Sequence, residues 1–241
     1  MKKVLALFIF LSGFTGYGQK KTYTSTGIEF IFSFANIDSS GQKFSNTVRF
    51  TGFLNLQQWI HLDISNNIGL FSGIAIRNVG FIFDHQNTST KMRSYALGFP
   101  VGIKIGDFKE NFYFYGGGEL EWMFHFKRKE FINDRKIVFS EWFSNRTNPL
   151  APSVFAGIQF PKGWNIKFKY YLTDFLNKDF TETINGVTIK PYKDWRSQMF
   201  YFSIGLVMHN KGNRRTKRKQ EQKTTEAYYY SENSYSTSDK F

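Results

Sequence analysis

Apolar and polar side chains alternate with a period of two along most of this chain. The clearest run is Phe112 to Lys129. One face carries Phe112, Phe114, Gly116, Gly118, Leu120, Trp122, Phe124 and Phe126. The other carries Tyr113, Tyr115, Gly117, Glu119, Glu121, Met123, His125 and Lys127. A strand sends successive side chains to opposite faces, so this pattern predicts a strand, whereas a helix would mix Glu119 and Glu121 into the aromatic face. Seven further segments alternate in the same way: 26–37, 47–65, 68–83, 93–106, 152–160, 164–174 and 198–209. In 47–65, Val48, Phe50, Leu54, Leu56, Ile60, Leu62 and Ile64 oppose Arg49, Thr51, Asn55, Gln57, His61 and Asp63. In 68–83 the apolar phase slips near Asn78, which predicts a bulge there.

The connections alternate in length. Short turns are expected at Asn66-Asn67, 106–111 and 161–163, and longer polar loops at 38–46, 84–92, 130–149 and 175–195. Outer-membrane barrels pair short periplasmic turns with long outer loops, and an even strand number leaves both chain ends in the periplasm. A soluble sandwich or lipocalin-like barrel also alternates. The two are separated by which face is uniform. Here the uniform face carries Phe, Trp, Ile and Leu in nearly every slot, more than an eight-stranded interior can hold. The mixed face, with Gly, Ala, Ser and a few charges, fits inside. The expected fold is therefore all-β: an eight-stranded antiparallel transmembrane β-barrel with a disordered C-terminal tail.

Composition sharpens this reading. Aromatics make up 20% of the 241 residues, with 29 Phe and 13 Tyr, which implies a large apolar surface hidden from water. The chain has no cysteine, which excludes a structural disulfide, a cysteine-ligated metal and a lipidated N-terminal anchor. Residues 1–18 read as a secretory signal: Lys2 and Lys3, the apolar stretch Val4 to Leu11, then Gly16-Tyr17-Gly18 before Gln19. That stretch falls short of the roughly 20 residues a spanning helix needs. The barrel is expected over 19–209 and a polar, basic periplasmic tail over 210–241, with eight Lys or Arg against four Asp or Glu. A net charge of +13 in an exported protein points to anionic lipid or glycan rather than nucleic acid.

The inward faces predict a charged lumen. Its acids are Glu29, Asp63, Glu119 and Glu121, its bases Arg49, Arg77, Lys104, Lys127, Lys167 and Lys169, with His61 and His125 nearby. Burial makes pairing of these charges mandatory, so a plugged lumen is favoured over a narrow pore for ions or small solutes. A lipid hydrolase would need Ser, His and an acid in reach. His125 and Glu121, four residues apart on one strand, are separated by roughly 13 Å, and no Gly-x-Ser-x-Gly elbow is present. No enzyme activity, metal or other cofactor is expected. A second candidate surface is the basic run Lys211, Arg214, Arg215, Lys217, Arg218 and Lys219, which could meet anionic lipid, cell-wall polymer or a periplasmic partner.

The final strand Phe200 to Met208, the segment Tyr95-Ala-Leu-Gly-Phe-Pro-Val-Gly-Ile-Lys and the run Tyr113-Phe-Tyr-Gly-Gly-Gly resemble those of small outer-membrane β-barrels of Bacteroidota, the broad PorT-like group. The resemblance covers about residues 19–209. It implies a barrel of the cell outer membrane, in contact with its lipid, with a structural or adhesive role or a place as accessory partner of an envelope complex. Some members of the group serve protein secretion. Its final strand looks like the C-terminal assembly signal of such barrels, although here a 32-residue tail follows it.

Overall fold

The structure is a computed structural model that describes residues 21–85, 88–132 and 135–210. The expected signal segment 1–18 and the basic run Lys211 to Lys219 lie outside the described residues. Among the described residues, fourteen strands occur in chain order: β1 (Lys21–Ser39), β2 (Gln42–Lys43), β3 (Ser45–Thr47), β4 (Arg49–Thr51), β5 (Leu56–Asp63), β6 (Ile68–His85), β7 (Thr88–Asp107), β8 (Phe112–Ile132), β9 (Arg135–Trp142), β10 (Leu150–Gln159), β11 (Trp164–Asp174), β12 (Glu182–Ile184), β13 (Val187–Ile189) and β14 (Trp195–Asn210).

Eight of these close a ring. The order β10-β11-β14-β1-β5-β6-β7-β8 returns to β10 through a β8–β10 pairing from Leu150↔Trp122 to Gln159↔Tyr113. The pairings that carry registers in this ring are antiparallel. The ring is the expected eight-stranded antiparallel barrel, and closure gives each of its strands a neighbour on both sides. Short connections join β5 to β6, β7 to β8 and β10 to β11 at one end. The remaining connections gather at the other end.

Four elements differ from the sequence reading. The segment 47–65 is not one strand: β4 and β5 are separated at 52–55, with Leu54 at φ 56. Ile31 faces Thr51 and Ile28 faces Leu56, so the interruption adds an even number of residues. The alternation therefore stays in phase across it, which is why the sequence looks continuous. The slip expected at Asn78 is absent, because the β6–β7 register runs unbroken through Arg77↔Ala96, Asn78↔Tyr95 and Val79↔Ser94. Val79, Phe81 and Phe83 point inward like Phe71 and Ala75, and only the identity of the inward residues changes. A bulge does occur in β8. Tyr95 faces His125 while Ala96 faces Met123, leaving Phe124 as the extra residue. Finally, the loops expected at 84–92 and 130–149 are largely sheet. β6 and β7 continue to His85↔Thr88, and β9 folds back along β8 from Ile132↔Arg135 to His125↔Trp142.

The exterior splits into two zones. Toward the short-turn end it is a band of exposed apolar side chains, including Ile28, Ile60, Ile74, Val101, Phe114 and Ile166. Toward the other end the sheet projects beyond this band, and a cluster of apolar residues fills its inward side. Ile31, Ile37, Val79, Phe81, Met92 and Phe126 form a buried cluster there with Phe175, Tyr192 and Met199.

Candidate functional site

The lumen is filled in three tiers. Toward the short turns, Trp59, Phe71, Tyr113, Tyr115 and Phe155 form a buried aromatic cluster. Trp59 stacks on Phe71 with ring centroids 4.6 Å apart, and Tyr115 meets both edge-on. Glycines make room for it: a Cβ at Gly102 would lie 2.5 Å from the Phe71 ring, and one at Gly157 would lie 2.5 Å from Tyr115.

The middle tier is ionic. Arg77 lies fully buried at its centre. It donates from Nε to Glu29 at 3.1 Å and from one terminal nitrogen to Glu119 and, at 3.2 Å, to Glu121. Its other terminal nitrogen reaches Gln57 at 3.4 Å. Lys167 pairs with Glu29. Lys169 pairs with Glu119 at 2.8 Å and Glu121 at 2.6 Å, and the Tyr171 hydroxyl donates to Glu121 at 2.5 Å. The strands explain the convergence. β1, β6, β8 and β11 each place an inward residue at this height, and Gly98 on β7 leaves the space that a Cβ would take from Glu119. Three carboxylates thus meet three cations. Below them Lys104 pairs with Asp63 at 2.7 Å and donates to the Tyr23 hydroxyl at 2.6 Å. The apolar cluster of the projecting sheet forms the third tier.

The structure moves three of the twelve sequence-predicted lumen residues elsewhere. Arg49 is buried, but at the interruption of the wall rather than in the network. Between the β3–β6 and β5–β6 pairings, residues 77–81 of β6 have no ladder partner on that side. Side chains stand in for it. Asn55 Oδ1 accepts from the Asn78 N–H at 2.9 Å, Arg49 donates to the Asn78 carbonyl at 3.1 Å and to its Oδ1 at 2.6 Å, and Ser33 donates to the Gly80 carbonyl at 2.6 Å. His125 and Lys127 lie past the Phe124 bulge, where the phase reverses. Phe126 turns inward opposite Ser94, and His125 and Lys127 join the outer face opposite Tyr95 and Arg93. The six bases expected inside become four, Arg77, Lys104, Lys167 and Lys169, against the four acids Glu29, Asp63, Glu119 and Glu121. Among the described residues this lumen network is charge-balanced.

His61 is buried against Tyr23, with ring centroids 4.7 Å apart, and shares a 2.8 Å hydrogen bond between Nε2 and Ser25 Oγ. His125 makes a similar 2.9 Å contact with Ser140 Oγ. In both rings Nδ1 is buried without a hydrogen-bond partner, so neither Ser–His pair has the carboxylate that orients a triad histidine. Among the described residues no group of three or more His, Asp or Glu is disposed to hold a metal ion.

Sequence reasoning left Trp59, Phe71 and Phe155 out of the lumen because they are large and apolar. Their odd positions, in phase with Gln57, His61, Ala75 and Ser153, were the available signal.

No protein-family model and no curated protein matches the chain. Among solved structures it is similar to Ail, the attachment invasion locus protein of Yersinia pestis. The identity is 12%, over 77% of this chain and 99% of that one, with a TM-score of 0.32. It is also similar to Neisserial surface protein A, at 10% identity over 78% and 98% with a TM-score of 0.39. A third is OprG of Pseudomonas aeruginosa, at 10% identity over 79% and 98% with a TM-score of 0.35. Likenesses at this level carry no argument about role, and the barrel assignment rests on the closed ring of pairings.

Proposed function

We propose that this chain is an outer-membrane barrel that does not conduct, and that it serves as a membrane-held scaffold whose projecting end meets partners in the envelope. The membrane reading is supported by the exterior. Residues Tyr95 to Ile105 of β7 show Leu97, Phe99, Val101, Ile103 and Ile105 outward without a charge, about the 11 residues that a tilted strand needs to cross. A patch of this extent is foreign to a soluble monomer, and a closed barrel is one of the two structures whose backbone is satisfied in hydrocarbon. The long-connection end then faces out of the cell and residues 21 and 210 face the periplasm.

The observation that carries the non-conducting reading is the balanced middle tier. Arg77, Lys167 and Lys169 against Glu29, Glu119 and Glu121 leave no surplus charge to attract a permeant ion, and the aromatic tier lies beneath it. At the projecting end, the β12–β13 hairpin shows Ile184, Val187 and Ile189 to solvent, which supports a contact role for that end. Planar-bilayer recording of the purified chain tests the reading. A quiet membrane is expected, and steady single-channel steps would replace it with a narrow pore. Capture of a specific envelope protein that is lost on trimming 182–189 would support the scaffold role.

A further inference from the structure

Beyond the Phe124 bulge, the outer face of the projecting sheet is read off the strand registers. Its first row is Asn78, Tyr95, His125 and Trp142 across β6, β7, β8 and β9. The next row is Gly80, Arg93, Lys127 and Ser140, and the next Ile82, Lys91, Lys129 and Val138. Arg93 faces Lys127 and Lys91 faces Lys129 as direct cross-strand partners. Like charges in such positions are destabilising, because the Cβ atoms of facing residues are about 5 Å apart. The two pairs are about 7 Å apart along the strands. Lys136 joins them one row further on.

Among the described residues, none of these five cations is in an ion pair, and the Nε of Arg93 is buried without a hydrogen-bond partner. Asp84, the one described acid on this face above Tyr95, accepts from Thr47 Oγ1 at 2.9 Å. Partial burial, then the charges of Arg49, Lys129 and Arg93, holds the Lys91 ammonium below its ordinary pKa. Lys129 is lowered in the same way, by partial burial and then by Lys136, Arg93 and Lys127. Four cations held together against their repulsion, none of them ion-paired with a described acid, form a site that an anion would complete.

Its height and direction select the anion. The quartet starts where the apolar band ends. It stands directly beyond an aromatic row in which Trp142 lies 4.4 Å from His125 and Tyr95 lies under the Arg93 guanidinium at 5.4 Å. Aromatic side chains of this kind mark the membrane–water interface. The quartet faces sideways along the wall rather than upward from the barrel mouth. We propose that Lys91, Arg93, Lys127 and Lys129 form a binding site for the phosphate groups of a glycolipid in the outer leaflet. The proposal rests on the membrane reading given above. Paired phosphates on one sugar headgroup suit two rows of cations, and each charge-assisted contact is of the strong kind.

The test uses the full chain in phosphatidylcholine nanodiscs, titrated with lipopolysaccharide or with the same glycolipid after enzymatic dephosphorylation. Replacing the four cations by Gln keeps their stems on a solvent-facing sheet. The fourfold variant is expected to bind phosphorylated glycolipid at least about tenfold more weakly. The unaltered chain should bind the dephosphorylated form as weakly as the variant does. In pure phosphatidylcholine, loss of the repulsion should raise the variant's Tm. Lys178→Gln with Lys190→Gln, which removes cations already paired with Asp174 and Asp179, should leave glycolipid affinity unchanged. Equal affinity of variant and unaltered chain, or equal affinity for both glycolipids, overturns the proposal and leaves the face to an acidic protein. Full displacement by millimolar inorganic phosphate overturns the lipid as the source. A chain that fails to enter the nanodiscs at all overturns the membrane reading, and this inference with it.

Discussion

The two halves of this barrel use the same backbone alternation for opposite purposes. In the half nearer the short turns, the outward positions are apolar and the inward ones hold ion pairs around Arg77. In the projecting half, the inward positions are apolar, from Ile31 to Phe126, and the outward ones carry Lys91, Arg93, Lys127 and Lys129. β6 crosses from one regime to the other with no change of register. The backbone is indifferent to the switch, and the surroundings decide it. Where hydrocarbon lies outside, polar groups gather within and must pair; where water lies outside, the interior becomes an ordinary core.

The largest effect should come from the ionic tier. Arg77→Leu leaves three buried carboxylates facing two lysines and should cost about 3–5 kcal/mol, read as a lower urea midpoint in micelles. The outer faces should then diverge. Val101→Arg, at the middle of the apolar band and 64% exposed, is expected to cost about 2–4 kcal/mol in lipid. Val187→Arg on the exposed β12–β13 hairpin should stay within about 0.5 kcal/mol. Core truncations should diverge the other way. Ile37→Val, in the packed interior of the projection, should cost about 1 kcal/mol. For Ile103→Val on the band a few tenths is expected, because mobile lipid chains fill the gap. If both cost the same, the two halves are not in different solvents.

The smallest effect concerns the projecting hairpin. Arg146 is bonded to both oxygens of the Glu182 carboxylate. That hydrogen bonding holds the Glu182 pKa below its usual value of 4.5. A lowered carboxylate stabilises the fold above its unfolded pKa and loses that contribution as pH falls through the lowered value. Amide protection in 182–189 should therefore fall as pH drops from 4.5 through the lowered Glu182 value, while protection in β8 is unchanged over the same range.

The period of two and the alternation of short and long connections made the eight strands and their closure legible, because both follow from local sequence. The lumen network was legible in part. Glu29, Asp63, Arg77, Lys104, Glu119, Glu121, Lys167 and Lys169 sit in unbroken stretches of alternation, so parity placed them inside. Parity failed for His125 and Lys127, since the bulge at Phe124 comes from β7–β8 registration, a long-range match that no local pattern records. It failed for Arg49 in another way. The residue has inward parity, but its guanidinium is claimed by Asn78 where β4 and β5 part, and backbone groups there need a side-chain partner. The apparent slip at Asn78 was the change of solvent, written as a change of phase.

The central claim is that the apolar side of the wall faces lipid chains only below Tyr95. The chain has no cysteine, so single cysteines at Val101, Ile37 and Lys129 can each carry one fluorophore in lipid vesicles. Spin-labelled lipid should quench the probe at Val101 from deep in the acyl chains, the probe at Lys129 from the headgroup level alone, and the probe at Ile37 at neither depth. Quenching of the Val101 probe by aqueous iodide, with no response to deep lipid quenchers, would contradict the account.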